Sequence, residues 1–252
     1  MFMRTSSRLT RMNASRGDLG SLLQRCAIGF LAGFLAIVVT ANLAAAATIH
    51  KIETGRAGTA TFLFQGPIVK GDAQRMAAVL DKVPAGIAVS VILESPGGLV
   101  GEGLILGTMF HHAKVTTVVR GDGAICYSAC ALAFLGGRDA RTGQPMRVKM
   151  SGGQLGFHQF SKRNFDPLKI YTKADYDQQV AEAQEITREI VNYLKGIGED
   201  LTKLQLMLRA PSEGMNVISN EECLQRGFHI LDEASGRLIE GGSQRQRVSA
   251  LN

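Results

Sequence analysis

The sequence predicts an α/β protein with a mainly parallel sheet. Between residues 59 and 135, short apolar runs alternate with segments of helical periodicity, in the order β-α-β-α-β-α. The apolar runs are continuous, which is typical of strands that are covered on both faces. Their alternation with helices is typical of βαβ units joined into one sheet.

The first predicted strand covers Thr59–Phe64, where β-branched and aromatic residues precede the breaking pair Gly66 and Pro67. The next elements are predicted in turn as a helix over Asp72–Val83, a strand over Ile87–Leu93, a helix over Leu99–His111, a strand over Val115–Val119 and a helix over Tyr127–Leu135. Each of the first two helices lies between two strands, as a crossover between parallel neighbours requires.

The second half is predicted to be more helical. A brief strand within Gly153–Phe160 is followed by a polar loop at 161–172 and a long helix over Ala174–Lys195. An apolar stripe along this helix consists of Tyr176, Val180, Ala183, Ile190 and Leu194. The remaining predicted elements are a helix over about Glu199–Leu208, a turn at Pro211–Gly214 and a short helix opened by Ser219.

Residues 1–47 are predicted to be an export signal or a membrane anchor. A basic region ends at Arg25, an apolar stretch covers Cys26–Val39, and an alanine cluster ends at Ala46 and Ala47. The small residues favour cleavage after about Ala46 or Ala47. The apolar stretch together with the alanines is also long enough to remain as an anchor. In both cases the rest of the chain is expected in, or facing, the bacterial periplasm.

The formal charge of +6 comes mostly from this leader. Residues 1–47 contain five arginines and one aspartate, so the remainder has a formal charge of only +2. No basic run interleaved with aromatic residues follows, and nucleic acid is therefore not expected as a partner. The chain has no Gly-x-x-x-x-Gly-Lys-Ser/Thr motif of an ATPase. No cofactor and no metal are expected.

Three cysteines follow the leader. Cys126 and Cys130 flank Ser128, and Cys223 lies far downstream. An odd number in an oxidising compartment leaves one thiol unpaired or paired between chains. A bridge between Cys126 and Cys130, or from either one to Cys223, is compatible with the sequence, which does not set the connectivity.

Three features lie after predicted strands, at the edge where parallel sheets place their sites. Gly97 and Gly98 can expose backbone N–H groups to a ligand because they have no Cβ. Ser128 lies at a predicted helix start, where converging N–H groups favour an oxyanion. His158 would supply the general base beside a hydroxyl. Taken alone, the glycine pair is explained by a tight turn, Ser128 by a helix cap and His158 by a place in the core. The three features together, in this order, indicate a hydrolase.

The order of these motifs resembles the proteolytic subunit of the Clp protease (ClpP) and its exported relatives, within the crotonase-like superfold. The resemblance covers roughly Thr59 to Ile230. It rests on Ser-Pro-Gly-Gly at 95–98, the serine turn at 126–130, Gly-Phe-His-Gln at 156–159 and a closing segment at 218–228. The resemblance implies a repeated β-α-β spiral in which the long predicted helix is the handle helix.

The resemblance also implies roles for the matching residues. Ser128 would be the nucleophile and His158 its base, with the N–H groups of Gly98 and Ala129 forming the oxyanion hole. An extended peptide would lie beside Gly98 by β-strand addition.

The family's acidic third member is missing from this sequence. Its matching position is Met215, and a thioether cannot orient a histidine. Glu213 and Asn216 are the neighbouring candidates for the orienting residue, because Glu or Asn holds the base histidine in other hydrolases.

The predicted function is therefore an exported ClpP-like serine hydrolase, most simply a peptidase that cleaves peptides or unfolded protein. The alternative is a catalytically weak or inactive relative that binds peptides or an envelope protein through the same groove. Acyl-CoA chemistry on this superfold is less favoured because it needs no Ser–His pair. A Ser–Lys dyad is less favoured because Lys149 and Lys162 are expected in polar surroundings.

The expected organisation is a signal or anchor at 1–47, an irregular lead-in at 48–58, the ClpP-like domain at 59–232 and a flexible tail at 233–252. A homo-oligomer is a further expectation. The apolar stripe of the long helix suits packing between subunits and packing within one chain equally well. Membrane contact is expected only through the N-terminal segment.

Overall fold

The computed structural model describes residues 46–160, 168 and 170–242. In these ranges the chain forms ten strands and six helices, which confirms the predicted α/β class. The predicted signal or anchor lies almost wholly outside the described residues. Within the described part, no helix is both long and apolar enough to span a bilayer.

The strands are β1 (Thr48–Ile52), β2 (Thr59–Gln65), β3 (Ala88–Glu94), β4 (Thr116–Val119), β5 (Ile125–Tyr127), β6 (Arg147–Met150), β7 (Gln154–Phe157), β8 (Asn216–Ile218), β9 (His229–Asp232) and β10 (Arg237–Ile239). The helices are α1 (Asp72–Leu80), α2 (Val100–His112), α3 (Ala129–Leu135), α4 (Lys173–Gly196), α5 (Thr202–Leu208) and α6 (Asn220–Gln225).

A seven-stranded sheet with the order β1-β2-β3-β4-β6-β9-β10 forms the body of the domain. Its five inner strands pair in parallel, and the two outer strands, β1 and β10, are antiparallel to their neighbours. The core is apolar, and Val91, Phe110, Val119 and Leu132 within it are fully buried. Burial of each such side chain contributes about 1.5–3 kcal/mol to folding.

Glycines allow α2 and α3 to pack closely. A Cβ at Gly103 would lie 2.5 Å from the carbonyl oxygen of Ala129, and one at Gly107 would lie 3.0 Å from that of Leu132. The same Cβ at Gly107 would also overlap the hydroxyl of Tyr193, which donates to Leu132 at 2.6 Å. The start of α3, directly after Ser128, is therefore held in place by backbone packing.

A second, three-stranded sheet with the order β5-β7-β8 carries the candidate site. β5 pairs with β7 in parallel, and β7 pairs with β8 antiparallel. Ser95 connects it to the large sheet, because its N–H donates to Ile125 at 2.7 Å and its carbonyl accepts from Tyr127 at 3.0 Å. These bonds keep Tyr127 in a strand, so the prediction that the helix begins at Tyr127 is wrong by two residues.

Both predicted flanks of the domain contain strands. The lead-in at 48–58 was expected to be irregular, but its first residues form β1, which pairs with β2 from Thr48 to Ile52. The tail at 233–252 was expected to be flexible, but it includes β10, paired with β9. Both are edge strands, whose exposed faces give little hydrophobic periodicity in the sequence. Residues 243–252 lie outside the described residues.

The long predicted helix is present as α4. It begins with a capping box in which Thr172 and Asp175 bond to each other's backbone N–H groups. Only its second half packs on the domain, through the buried side chains of Ile190 and Leu194. In the first half, 66% of the surface of Tyr176 is exposed.

A buried charge cluster joins the sheet to α5. Arg147 Nη1 lies 2.6 Å from Glu199 Oε1, and Lys203 Nζ lies 3.6 Å from Glu199 Oε2. The guanidinium and the ammonium also face the ring of Phe228, at 5.4 Å and 5.3 Å from its centroid. Two cations thus share one carboxylate and one aromatic ring, which compensates part of the cost of their burial.

Candidate active site

Ser128 occupies the turn between β5 and α3. Its backbone has φ 57° and ψ −122°, in a region that residues with a Cβ rarely adopt and that costs about 1–3 kcal/mol. The Ser128 side chain makes no capping hydrogen bond to α3. Ser128 is the N-cap residue of α3 by position, but its hydroxyl does not cap the helix, so capping does not explain why a serine is present here. Strain of this kind is typical of functional positions.

His158 lies directly beyond the end of the neighbouring strand. In the parallel pair of β5 and β7, Tyr127 is opposite Gly156, and the N–H of Ser128 donates to the carbonyl of Gly156 at 3.0 Å. Ser128 and His158 thus follow the same ends of two adjacent strands, which in any sheet are about 4.8 Å apart. Only 6% of the surface of His158 is exposed.

The glycine bend lies against the serine turn. A Cβ at Gly97 would lie 2.6 Å from the carbonyl oxygen of Tyr127, 2.7 Å from the Cβ of Ser128 and 3.1 Å from the nitrogen of Ala129. Gly97 also has φ +93°. Only glycine fits here. The sequence predicts that Gly97 and Gly98 can expose N–H groups to a ligand, whereas the contact of Gly97 with Ser128 is visible only in the fold.

Among the described residues, Gly98 has a pairing partner on one side only. The N–H of Ile68 donates to Gly97 at 2.8 Å, and the N–H of Leu99 donates to Ile68 at 2.9 Å. In this parallel bridge the N–H and C=O of Gly98 itself point away from Ile68. Gly98 therefore presents one donor and one acceptor on its other side, where an extended chain could pair.

The two proposed oxyanion donors are both available. Among the hydrogen bonds of the described residues, neither the N–H of Gly98 nor that of Ala129 donates to a protein acceptor. Ala129 is the first residue of α3, where N–H groups have no intrahelical partner and the helix dipole is positive. Two unused donors on either side of Gly97 form an arrangement that can bind an oxyanion.

Met215 lies where an orienting acid would be expected. β8 pairs with β7 antiparallel, with Asn216 opposite Phe157, so Met215 is the neighbour of His158 by register. A Cβ at Gly156 would lie 2.7 Å from Met215 Cγ, which means that the thioether packs on Gly156. An apolar side chain thus covers the strand beside His158.

Asn216 and Glu213 differ in their relation to His158. Asn216 shares a face of the sheet with Phe157, and its Nδ2 donates to the carbonyl of Leu206 at 2.9 Å. Glu213 lies in an exposed turn, where it accepts a hydrogen bond from Ser212 Oγ at 2.6 Å. This hydrogen bond and, more weakly, the charge of His158 lower the pKa of the Glu213 carboxyl. Of the two, Glu213 is the one that carries a charge, and His158 makes a minor contribution to its lowered pKa.

The loop that carries Glu213 is fastened beside the histidine. The N–H of Gln159 donates to Ala210 at 3.0 Å, and its Nε2 donates to Leu208 at 3.1 Å. The turn from Pro211 to Gly214 is closed by a 3.0 Å hydrogen bond between their backbones. The position of this loop relative to His158 is thus fixed on its N-terminal side.

Lys149 has the polar neighbours that the sequence predicts, but contrary to expectation the residue is buried. Only 3% of its surface is exposed, and its Nζ donates to Asn220 Oδ1 and to the carbonyls of Met150 and Ser151. Burial lowers the pKa of Lys149. These contacts hold the ammonium at the start of α6, and Lys162 lies outside the described residues.

The cysteine pairing that the sequence left open is resolved in the structure. Cys126 and Cys130 form a disulfide bond with a Cα–Cα distance of 5.2 Å. Cys223 is buried and, among the described cysteines, is the free thiol. Burial raises the pKa of Cys223 to about 12, so this thiol stays protonated at neutral pH.

Comparison with known proteins identifies the fold. No family model matches the sequence, and no curated protein matches it. The structure is similar to that of a ClpP1 point mutant from Listeria monocytogenes, with a TM-score of 0.50 and 16% sequence identity. The similarity covers 70% of this chain and 93% of that one. The chain therefore has a ClpP-like fold, as the sequence motifs predicted.

Proposed function

We propose that this chain is an exported serine hydrolase, most simply a peptidase, with Ser128 as nucleophile and His158 as general base. The observation that carries the proposal is the backbone of Ser128, which has a positive φ, makes no capping bond and is held between the glycine bend and the strand that leads to His158. A residue kept in such a conformation suits a nucleophile better than a structural turn.

The proposed reaction follows from this arrangement. Ser128 Oγ attacks the carbonyl carbon of a peptide bond while His158 takes the hydroxyl proton. The carbonyl oxygen becomes negative and receives hydrogen bonds from the N–H groups of Gly98 and Ala129. When the C–N bond breaks, His158 returns the proton to the leaving amine, and water then hydrolyses the acyl-Ser128 ester by the same steps.

An extended peptide suits the free side of Gly98. Its N–H and C=O face away from Ile68, so a substrate strand can pair there by β-strand addition. The adjacent Leu99 and the β8 residue Val217 have exposed side chains that can contact apolar substrate residues. Because folded proteins do not offer free strands, peptides and unfolded segments are the proposed substrates.

Glu213 is the proposed orienting residue for His158. His158 contributes, after the Ser212 hydrogen bond, to the lowered pKa of the Glu213 carboxyl, whereas the amide of Asn216 donates to the carbonyl of Leu206 in α5. A negative charge near a histidine stabilises the imidazolium that forms during the reaction. An exposed carboxylate is screened by water, so the support is weaker than that from a buried aspartate.

The disulfide supports export as part of the proposal. Disulfides persist in oxidising compartments, such as the bacterial periplasm, and are rare in the cytosol. The bridge between Cys126 and Cys130 therefore agrees with the predicted leader at 1–47. N-terminal sequencing of the protein recovered from the periplasm tests this localisation and distinguishes a cleaved signal from an anchor.

Self-association through the first half of α4 belongs to the same proposal. Tyr176 and Val180 expose apolar surface there, whereas Ile190 and Leu194 are buried in the second half. Sedimentation velocity is expected to show an oligomer that the Val180→Asp variant disrupts. An unchanged sedimentation coefficient for this variant would contradict self-association through α4.

A peptide-binding protein without efficient catalysis is the second candidate. Met215 is the observation that favours it, because an apolar side chain occupies the register position beside His158. The same free edge at Gly98 would bind the peptide, and Ser128 would then be a remnant of a catalytic site.

Labelling with a fluorophosphonate probe separates the two candidates. The purified chain without its leader is expected to be labelled on Ser128, whereas Ser128→Ala is expected to remain unlabelled. Ser151→Ala is a matched control, because Ser151 lies outside the site and bonds to Glu233. Absence of labelling on the folded wild-type protein would refute the hydrolase. Cleavage of a fluorogenic peptide library then tests for a peptidase.

A further inference from the structure

The disulfide bond between Cys126 and Cys130 encloses the centre of the candidate site. The residues between the two bridged positions are Tyr127, Ser128 and Ala129. The ring thus contains both the proposed nucleophile and one of the two proposed oxyanion donors. Few other cross-links could constrain these two groups so directly.

Each end of the bridge is anchored in a different element. Cys126 is the middle residue of β5, opposite Leu155 of β7. Its backbone also pairs with that of Ser95 in an isolated parallel β-bridge. Cys130 lies in the first turn of α3, whose packing on α2 depends on Gly103. The bond therefore fixes the angle at which the strand passes into the helix.

Ser128 needs such a constraint, because its backbone conformation is unfavourable. A positive φ costs a residue with a Cβ about 1–3 kcal/mol, and two backbone hydrogen bonds oppose that cost. Its N–H donates to Gly156 at 3.0 Å, and its carbonyl accepts from Leu132 at 3.3 Å. A short covalent ring adds to them by excluding relaxed conformations of the three enclosed residues.

We propose that the Cys126–Cys130 disulfide is a positioning element of the active site, so that the protein becomes catalytically competent only after the bridge has formed. The inference rests on the proposed hydrolase function. In the oxidation step, two thiols lose two electrons and two protons to a disulfide oxidant, which is released as a dithiol. The new S–S bond sets the position of Ser128 Oγ and the direction of the Ala129 N–H.

Burial makes this bridge a maturation step rather than a rapid switch. Both cysteines are fully buried in the core. Thiol–disulfide exchange requires direct access of a thiolate to a sulfur atom. In the folded protein a dithiol reductant is therefore expected to act slowly, and its rate is expected to rise when denaturant opens the domain.

The test compares the wild type with a Cys126→Ala/Cys130→Ala variant, and Cys223→Ala serves as a matched buried-cysteine control. The double variant is expected to keep its circular dichroism spectrum but to react with a fluorophosphonate about 100-fold more slowly, the cost of displacing a catalytic group by about 1 Å. Its kcat is expected to fall while KM stays unchanged. The control is expected to react at the wild-type rate.

A second comparison avoids substitution altogether. The wild-type chain is refolded either with dithiothreitol or with a glutathione redox buffer, and oxidation of the reduced sample is expected to restore fast labelling. If the double variant is labelled as fast as the wild type, the positioning role is overturned and the proposed hydrolase function stands. If the reduced chain and the double variant are both unfolded, the bridge serves folding, and the positioning role is also overturned. A wild type that is never labelled would refute the hydrolase itself.

Discussion

Ser128 donates its backbone N–H to the carbonyl oxygen of Gly156 at 3.0 Å, so the proposed nucleophile is fastened to the strand that leads to His158. Ser128 and Gly156 are 28 positions apart in the chain, and the hydrogen bond between them continues the parallel pairing of β5 with β7. Because the link is made by backbone atoms, it does not depend on side-chain rotamers. The separation between the backbones of Ser128 and His158 is thus set by sheet geometry.

Gly97→Ala is expected to slow the fluorophosphonate labelling of Ser128 by about 100-fold. The new Cβ would lie 2.7 Å from the Cβ of Ser128, so the serine turn or the glycine bend must move. A displacement of about 1 Å costs roughly 100-fold in rate. Gly101→Ala is the control, because a Cβ there meets open space. A Gly97→Ala protein labelled at the wild-type rate would show that this contact is not needed.

Glu213→Gln is expected to lower kcat by about tenfold to a hundredfold. This is less than the decrease of about 10⁴-fold in kcat that follows when the buried aspartate of a Ser-His-Asp triad is replaced by asparagine. The reason is that an exposed carboxylate is screened by water. Steady-state kinetics on a fluorogenic peptide measure the change. Glu221→Gln provides a control on α6, where the carboxylate bonds only to Gln225 among the described side chains. If both variants keep full activity, Glu213 does not support His158.

Met215→Asp is expected to raise kcat by at least about tenfold. A carboxylate at this register position would lie beside His158 and could stabilise its protonated form. Met215→Leu keeps an apolar contact with Gly156 and is expected to behave as the wild type. The kinetic assay used for Glu213 is suitable here. A lower kcat for Met215→Asp, in a protein with unchanged circular dichroism, would argue against this placement.

Cys223→Ala is expected to make stability less sensitive to alkaline pH. The folded protein holds the pKa of Cys223 at about 12, above the ordinary value of 9.0, so the native state binds the proton more tightly than the unfolded chain. The stabilisation from this thiol is therefore complete below pH 9 and decreases as pH rises towards 12.

Urea unfolding at pH 7.5 and pH 10.5 measures this effect. The difference in unfolding free energy between the wild type and Cys223→Ala is expected to shrink at the higher pH. Alkaline groups that do not interact with Cys223 affect both proteins equally and cancel in the difference, whereas Lys149 interacts with the Cys223 thiolate and contributes to it. A gap that widens from pH 7.5 to pH 10.5 would contradict the raised pKa.

Glu199→Gln is expected to destabilise the domain by about 3–5 kcal/mol, because Arg147 and Lys203 would then be buried without their shared negative partner. Urea unfolding measures the loss. Glu185→Gln removes the carboxylate of an exposed pair with Arg188 and is expected to leave the unfolding free energy almost unchanged. Equal changes in unfolding free energy for the two substitutions would mean that the buried cluster stabilises the domain no more than an exposed ion pair does.

Sequence patterns predicted the elements whose own residues show a clear apolar pattern. The apolar runs of β2, β3 and β4 could be recognised because hydrophobic periodicity reflects burial. The stripe of α4 predicted the helix, although only its second half is buried. β6 was missed, since Arg147 and Lys149 make its sequence look exposed. Both side chains are buried with partners that are distant in sequence. Arg147 pairs with the carboxylate of Glu199, and Lys149 donates a hydrogen bond to Asn220.

The candidate site was predicted to a similar extent. The positions of Ser128, Gly98 and His158 followed from motifs and their order, and the structure assigns all three to the ends of adjoining strands or bridges. The steric role of Gly97 and the packing of Met215 on Gly156 could not be predicted. Both depend on how two strands and a bend come together, which no local pattern records.

The division of the strands into two sheets has a consequence for how this protein can evolve. The seven-stranded sheet carries the inner parallel strands, whereas Ser128 and His158 follow strands of the small sheet β5-β7-β8. A substitution at position 215 is therefore expected to change the surroundings of His158 without removing a strand from the seven-stranded sheet. The chemistry of the candidate site can thus change by single substitutions while the larger sheet keeps its pairing.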